Sequence, residues 1–271
     1  MPTTPSQGRT AWTKRTDRAA DLAERNPWAR ELLAFYLRIL EFQRDVYEAL
    51  PAMSGTAVAD QAGLRGSLNL DEAVRSFPNL LALVRKSGPP KLAQEASHLR
   101  DSSSAQIREM LGKRLVMTDS LDDGNSFFAR ALLQPQAERF AQASGTREQQ
   151  VVGNKCPHCK SNPQLAVIRP EGDGGKRLLL CSFCQSEWEF RRILCPSCGE
   201  EHNENLPRYS AEGISAVRVE ACDVCKCYLK SVDLTVDGLA VPVVDEIATA
   251  PLDLWAVEHG YSKIQLNLMG F

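Results

Sequence analysis

Cysteine is missing from more than half of this chain. The first 155 of the 271 residues contain none, and all nine cysteines lie between Cys156 and Cys227. Disulfides form in oxidising compartments and use cysteines in even numbers, whereas an odd cluster within one segment is typical of metal ligation in a reducing compartment. The distribution therefore predicts a metal-binding segment after residue 150.

Long hydrophobic runs are also missing. A membrane-spanning helix needs about 18 consecutive apolar residues, and the runs here are as short as the one from Leu80 to Val84. The N-terminal residues Met1 to Thr10 are polar and lack the apolar segment of a secretory signal. We therefore expect a cytoplasmic protein without membrane insertion.

The chain has no excess of positive charge. Its formal net charge is -2, and from residue 151 onward it has 12 Lys and Arg against 16 Asp and Glu. Four thiolates around a divalent metal contribute a further charge of about -2 at each site. Nucleic-acid binding requires a basic surface. We therefore expect no nucleic acid among the partners, and keep a nucleic-acid-binding zinc ribbon only as the second alternative function.

Motifs for catalysis are missing as well. The sequence has no Ser/His/Asp arrangement and no glycine-rich loop that would hold phosphate. A metal ion held by four cysteines has no open position for water or substrate. We therefore predict that the protein is not an enzyme.

The cysteine-free half has apolar residues at helical spacing. Trp28, Phe35 and Ile39 belong to one such stripe, which begins after the Asn26-Pro27 cap. Helices are predicted over residues 17–25, 27–50, 71–86, 91–114 and 126–142, with breaks near 102–104 and at Pro135. The other segments are a mobile N-terminus at 1–16, a loop or weak helix at 52–70 and a polar linker at 144–154. Residues 17–150 are thus predicted to form a helical domain.

Four Cys-x-x-Cys pairs have the spacing of two zinc-ribbon or rubredoxin-type sites. The first two pairs are separated by 21 residues and the last two by 23. A Cys-x-x-Cys pair on a tight turn directs its two sulfurs at one point, so two such turns joined by a β-hairpin supply four thiolates. The predicted ligands are Cys156, Cys159, Cys181 and Cys184 for site 1, and Cys195, Cys198, Cys222 and Cys225 for site 2. Either zinc or a single iron suits such a set.

The segments between paired cysteines have the residues that a hairpin requires. In the first, residues 165–168 lead out, Gly172 to Gly175 turn and residues 177–180 return; in the second, Glu212-Gly213 precedes a strand at 216–220. The predicted fold class is α+β and multidomain. It consists of the helical bundle, two tandem four-cysteine ribbons at 151–194 and 195–245, and a C-terminal helix with a docking tail at 246–271.

Cys227 is left outside both predicted sites. It follows Cys225 by two residues, so on an extended strand the two side chains share a face. A small buried side chain is one interpretation. A free redox-responsive thiol or spare ligand is the other.

The order of these motifs resembles the formate dehydrogenase accessory proteins of the FdhE type. The matching residues are Lys155-Cys156-Pro157, Cys181-Ser182, Ser186-Glu187-Trp188, Arg192, Cys222-Asp223, Tyr228-Leu229-Lys230, Leu252-Asp253-Leu254, Gly260-Tyr261 and, in the helical half, Phe127 to Pro135. The chain departs from the family pattern at Glu189, where a histidine is usual, at Phe190-Arg191, where Val-Val is usual, and at Lys160, where a glycine is usual.

This resemblance implies a non-catalytic assembly chaperone that is required for active formate dehydrogenase and binds its catalytic subunit. It also implies rubredoxin-like bound iron, and it makes Glu187, Trp188 and Arg192 candidates for contact with that partner. A rubredoxin-like electron-transfer or redox-sensing protein is the first alternative function. A homo-oligomer is compatible with each of these functions.

Overall fold

The first half of the chain is helical in the computed structural model, which describes residues 5–50, 63–116, 124–144 and 153–271. The helices are α1 (Pro5–Arg25), α2 (Arg30–Ala49), α3 (Gly63–Gly66), α4 (Leu70–Ser87), α5 (Pro90–Leu99), α6 (Ser104–Val116) and α7 (Gly124–Ala143), with a 3-10 turn at Pro27–Ala29. Most of the predicted loop at 52–70 and of the predicted linker at 144–154 lies outside the described residues.

Side-chain caps explain where two of these helices begin. The Asn69 side chain accepts a hydrogen bond of 3.1 Å from the Glu72 amide and so starts α4. Ser103 and Gln106 cap α6 reciprocally: the Gln106 amide donates to the Ser103 hydroxyl, and the Ser103 amide donates to the Gln106 side chain. This capping box accounts for the predicted break near residues 102–104.

The helix predicted from residue 17 starts earlier, at Pro5. Residues 5–16 of the segment expected to be mobile are therefore helical, and residues 1–4 lie outside the described part. Tertiary contacts explain the extension. Trp12 is buried in the core, and the Arg15 guanidinium forms a two-pronged ion pair of 2.8 and 2.9 Å with Glu138 of α7.

The break predicted at Pro135 is wrong, because α7 continues through it. A proline inside a helix leaves the carbonyl four residues earlier without its amide partner. Here that carbonyl belongs to Ala131, and the Gln43 side chain of α2 donates to it at 3.1 Å. A hydrogen bond from a neighbouring helix thus replaces the one that proline removes, which local sequence could not indicate.

Both hairpins belong to one mixed sheet. The strands are β1 (Pro163–Glu171), β2 (Gly174–Cys181), β3 (Glu187–Glu189), β4 (Arg208–Ala211), β5 (Ile214–Ala221), β6 (Cys227–Asp233) and β7 (Ser262–Lys263). Their order is β3-β2-β1-β6-β5-β4, with β7 beside β6. The two hairpins meet where β1 pairs in parallel with β6, from Leu165 opposite Lys230 to Ile168 opposite Asp233. The predicted fold class, a helical half followed by two four-cysteine ribbons, is confirmed.

The C-terminal helix predicted near residues 246–260 is divided into α8 (Pro242–Ala248) and α9 (Ala250–Glu258). Pro251 is placed in the first turn of α9 and cannot donate an amide to the helix before it. The Thr249 hydroxyl donates instead to the Asp245 and Glu246 carbonyls at the end of α8. Gly260, at a φ of +81°, then reverses the chain toward β7.

A continuous buried core joins the helices to the sheet. It runs from Trp12 of α1 to Leu268 near the C-terminus and includes the cysteines of site 1. Helix α8 lies between the two halves, packing against α1 and α2 on one side and against β1 and β6 on the other. Among the described helices, none combines the length and apolar character needed to cross a bilayer.

Candidate metal centres

Each Cys-x-x-Cys pair lies on the same kind of closed turn. The amide of its first cysteine donates to a carbonyl five residues later: Ser161, Ser186, Glu200 or Cys227, at 2.7 to 2.9 Å. In the first and third turns the residue after the second cysteine also donates back to the first, from Lys160 to Cys156 and from Gly199 to Cys195. The backbone thereby holds both sulfurs of a pair on one side of the turn.

The turns share a left-handed residue directly after the second cysteine. Lys160, Gln185, Gly199 and Lys226 have φ values of 63°, 58°, 82° and 55°. Only glycine adopts this conformation without a steric cost, which is about 1–2 kcal/mol for other residues. The lysine that replaces the family's usual glycine at position 160 therefore occupies the same backbone conformation as glycine would, at some cost in stability.

Replacing Gly199 with alanine tests this interpretation. We expect the free energy of unfolding of the metal-loaded protein to fall by about 1 kcal/mol, because the left-handed backbone disfavours a Cβ atom. A clash cannot be the cause, since a Cβ at Gly199 would meet no atom within 4 Å. Gly174→Ala is the matched control: its nearest neighbour would be 3.9 Å away and its φ is not left-handed. Equal effects of the two substitutions in denaturant unfolding would contradict the prediction.

The structure brings together both sets of cysteines that the spacing predicts. In site 1 the sulfurs of Cys156 and Cys184 are 3.5 Å apart and those of Cys159 and Cys181 are 3.3 Å apart. Within each set of four, all sulfurs lie within 4.8 Å of one another.

Site 2 has slightly wider spacing. Its sulfurs are 3.8 Å apart between Cys195 and Cys225 and 3.7 Å apart between Cys198 and Cys222. Four sulfurs at about 2.3 Å from one tetrahedral ion are separated by about 3.8 Å. Each set can therefore hold one metal ion, with iron and zinc both compatible with four thiolates.

The charge state of the thiols favours a bound cation. Burial, together with the neighbouring sulfurs, raises the pKa of the Cys181 thiol well above its usual value. Hydrogen bonds from the Cys156, Cys181 and Cys184 thiols lower the pKa of Cys159. The pKa values of these two thiols are thus shifted in opposite directions within one cluster. A divalent ion compensates the charge of four thiolates and displaces the remaining protons.

Site 1 is enclosed by the helical half. The Arg65 guanidinium of α3 donates to the Cys159 carbonyl at 2.8 Å and to the Ser161 hydroxyl at 2.7 Å. That hydroxyl lies 3.3 Å from the Cys159 sulfur. From α7, Arg130 and Gln134 both donate to the Ser182 carbonyl in the second turn. Helices therefore hold both turns of site 1 in place and exclude solvent.

Site 2 lies at the surface of the protein. Cys195 and Cys222 are buried, but Cys198 is exposed and Cys225 is half-buried. Arg192 and Arg208 line a small cleft beside Cys195 and Cys222. The two sites therefore share ligands and turn geometry and differ in their access to solvent.

This difference predicts unequal metal release. With a competing chelator, we expect one ion to leave about 10–100 times faster than the other, because the helices that the structure describes enclose and support site 1 and not site 2. The measurement is metal release over time, with alkylation of freed thiols mapped by mass spectrometry. Cys198 and Cys225 should be labelled in the fast phase and Cys156 and Cys184 in the slow one. A single release rate with labelling at both sites would contradict the prediction.

Known proteins match the chain along its length. A family model described as "FdhE, central domain" matches residues 155–192, and one described as "FdhE, C-terminal domain" matches residues 179–269. The FdhE homologue of Aquifex aeolicus (strain VF5) is 30% identical over 261 residues, 92% of this chain and 92% of that protein. The homologue of Haemophilus ducreyi is 27% identical over 270 residues, 94% of this chain and 88% of that protein.

A solved structure agrees with these matches. The crystal structure of the FdhE protein from Pseudomonas aeruginosa matches with a TM-score of 0.72 at 26% identity, covering 99% of this chain and 97% of that one. The chain belongs to the FdhE family. These matches confirm the resemblance found in the sequence. FdhE proteins are formate dehydrogenase accessory proteins.

The three FdhE motif residues considered for partner contact differ in exposure. Trp188 is 6% exposed, and its indole nitrogen donates to the Gly153 carbonyl at 3.0 Å. Glu187 forms a two-pronged ion pair of 2.6 and 2.7 Å with Arg169 across the sheet. Arg192 is exposed. The geometry thus assigns structural contacts to Trp188 and Glu187 and leaves the Arg192 side chain accessible.

Cys227 begins β6 and is half-buried. Its carbonyl accepts the hydrogen bond that closes the fourth turn. The residue therefore has a backbone role in site 2, and the redox role considered for its thiol stays a prediction.

Sequence reasoning missed a buried ionic cluster formed by two FdhE motif residues, Lys230 and Asp253, with Glu246 and Lys263. All four side chains are at most 4% exposed. Lys230 lies 2.5 Å from Asp253, and Lys263 pairs with Glu246 and lies 2.9 Å from Asp253. Burial alone would raise the pKa of Glu246, but the two lysine charges outweigh it and lower the pKa to about 2. The FdhE motif residues include Lys230 and Asp253, but the motif does not indicate that these two side chains form an ion pair.

Proposed function

We propose that this FdhE family member is a non-catalytic accessory factor that binds the catalytic subunit of formate dehydrogenase through its four-cysteine modules. The observation that carries the proposal is the complete set of four cysteine sulfurs around each candidate metal position, which closes the coordination of the metal at both sites. Such a site fixes the shape of a surface and has no open position for substrate. We place the protein in the cytoplasm, because an odd number of cysteines clustered in one segment is typical of metal ligation in a reducing compartment.

Co-purification with the catalytic subunit tests this function. We expect the metal-loaded chain to retain the catalytic subunit, and a strain without the chain to lose formate dehydrogenase activity. Arg192→Gln tests the accessible motif arginine, and Arg169→Gln, which removes the sheet ion pair with Glu187, is the control. Full formate dehydrogenase activity in the deletion strain would disprove the proposal.

A rubredoxin-like electron-transfer function is the second candidate, and the exposure of Cys198 at site 2 favours it. Electron transfer requires iron, whereas zinc is not redox-active. The visible spectrum and metal content of anaerobically purified protein distinguish the two, because ferric thiolate absorbs visible light. Protein that contains only zinc would eliminate this candidate.

A further inference from the structure

The two metal sites are repeats of one another, so corresponding positions can be compared. Ser161 and Glu200 both follow the second cysteine of a first turn by two residues and accept the closing hydrogen bond from its first cysteine. Phe183 and Val224 both directly precede the last cysteine of a site. The carbonyl of Cys159 corresponds in the same way to that of Cys198.

At site 1 these positions are covered by the protein itself. Phe183 is 2% exposed, and the Arg65 guanidinium lies 5.2 Å from the centre of its ring. The same guanidinium donates to the Cys159 carbonyl and to the Ser161 side chain. One arginine therefore covers the apolar residue of one turn and binds the polar groups of the other.

At site 2 the corresponding positions are more exposed than at site 1, although the Glu200 side chain is only 14% exposed. Val224 is 58% exposed and Cys198 is exposed. Where site 1 has the Ser161 hydroxyl, site 2 has the Glu200 carboxylate, whose side-chain contacts are to His202 and to the Glu201 amide. This face of site 2, defined by Cys198, Glu200 and Val224, is called the open face below.

Charge favours a cationic group on the open face. The Glu200 carboxylate adds to the charge of about -2 that four thiolates and a divalent ion carry. Of the nearby basic side chains, His202 contacts Glu200 Oε1 at 2.7 Å, Arg192 and Arg208 line the cleft beside Cys195 and Cys222, and Lys226 pairs with Asp223 at 2.7 Å. An arginine fits this face better than a lysine, because its planar fork can bind a carboxylate while its face covers an apolar side chain.

We infer that the open face of site 2 is the docking surface for an arginine-bearing segment of the catalytic subunit, which covers site 2 as Arg65 covers site 1. This inference rests on the proposed function and narrows it to one surface. The partner's guanidinium binds the Glu200 carboxylate and the Cys198 carbonyl. Its apolar neighbours cover Val224.

Binding of the catalytic subunit to the metal-loaded full chain tests the inference. We expect Val224→Asp to weaken binding about tenfold or more, since it places a charge at the centre of the contact. Val236→Asp is the matched control, because Val236 is 55% exposed and lies in the turn after β6, outside the open face. We likewise expect Glu200→Gln to weaken binding and Glu201→Gln, which removes an exposed partner of Arg191, to have no effect.

Alkylation of the unmodified chain gives a second readout that does not depend on how a variant folds. We expect the bound catalytic subunit to slow the labelling of Cys198 about tenfold or more, as a contact that excludes water would. Unchanged labelling of Cys198 in the complex, or equal binding by Val224→Asp and Val236→Asp, would overturn the inference and leave the proposed function standing. Failure of the unmodified chain to bind the catalytic subunit at all would overturn both.

Discussion

A chain carrying Cys181→Ser is expected to lose stable structure in its helical half as well as in its sheet. The cysteines of site 1 belong to the same buried core as the side chains of α1, α2 and α7. Metal binding by structural zinc sites is worth about 10–16 kcal/mol in zinc-finger peptides, and whole domains are stable by only about 5–15 kcal/mol. Losing the metal of site 1 would therefore remove a term as large as the entire stability of a domain.

Helical circular dichroism and limited proteolysis measure this effect. We expect a weaker helical signal and new cleavage sites before residue 144 in Cys181→Ser. Cys227→Ser, which removes a thiol that is not a predicted ligand, should stay close to wild type. Cys198→Ser should affect the sheet more than the helices, because site 2 lies away from the helical half. A helical signal equal to wild type in Cys181→Ser would show that the helices fold independently of site 1.

Replacing Lys230 with methionine is expected to lower the free energy of unfolding by about 3–5 kcal/mol. The four charges of the ionic cluster balance, so removing one lysine leaves a buried negative charge without compensation. The lost contacts are specific: the Lys230 ammonium contacts the Asp253 and Glu246 carboxylates and donates to the Thr249 carbonyl at 3.3 Å. Denaturant unfolding of the metal-loaded protein gives the value.

Lys226→Met is the matched control for this substitution. Lys226 pairs with Asp223 at the surface, with 58% of its side chain exposed, and exposed ion pairs contribute about 0–1 kcal/mol. The double variant Lys230→Met with Asp253→Leu should recover part of the loss, because it removes one charge of each sign. A loss in Lys230→Met as small as in Lys226→Met would mean that the cluster does not stabilise the fold.

The two four-cysteine clusters were predictable from sequence because the chemistry of a four-thiolate site fixes their spacing. Two cysteines three residues apart must share a turn, and a hairpin must join two such turns. The left-handed residue after each second cysteine was less visible, since only Gly199 indicates it by its identity. The turns at Lys160, Gln185 and Lys226 adopt the same conformation without glycine.

Features that depend on distant residues were not predictable. Nothing near Pro135 in the sequence indicates that the Gln43 side chain donates to the Ala131 carbonyl, which lies 88 residues away along the chain and lacks an amide partner because of the proline. In the same way, Arg65 is an ordinary surface-type residue in the sequence, and only the fold brings it to Cys159. The parallel pairing of β1 with β6 also joins segments that are far apart in sequence. Local patterns indicate elements, and these long-range contacts decide how the elements meet.

The parallel pairing of β1 with β6 has a consequence for the order in which the chain folds during synthesis. The hairpin of β1 and β2 is local and can form soon after it leaves the ribosome. Its other edge cannot be completed until residue 233 has been made, because β1 pairs with β6 as far as Ile168 opposite Asp233. Pairings between distant segments form late, since the intervening chain must first be ordered. Until then, β1 presents an unpaired strand edge, which is a site where chains aggregate. Early binding of metal at site 1 would order the first ribbon sooner. The free edge of β1 is covered only when β6 of the second ribbon pairs with it.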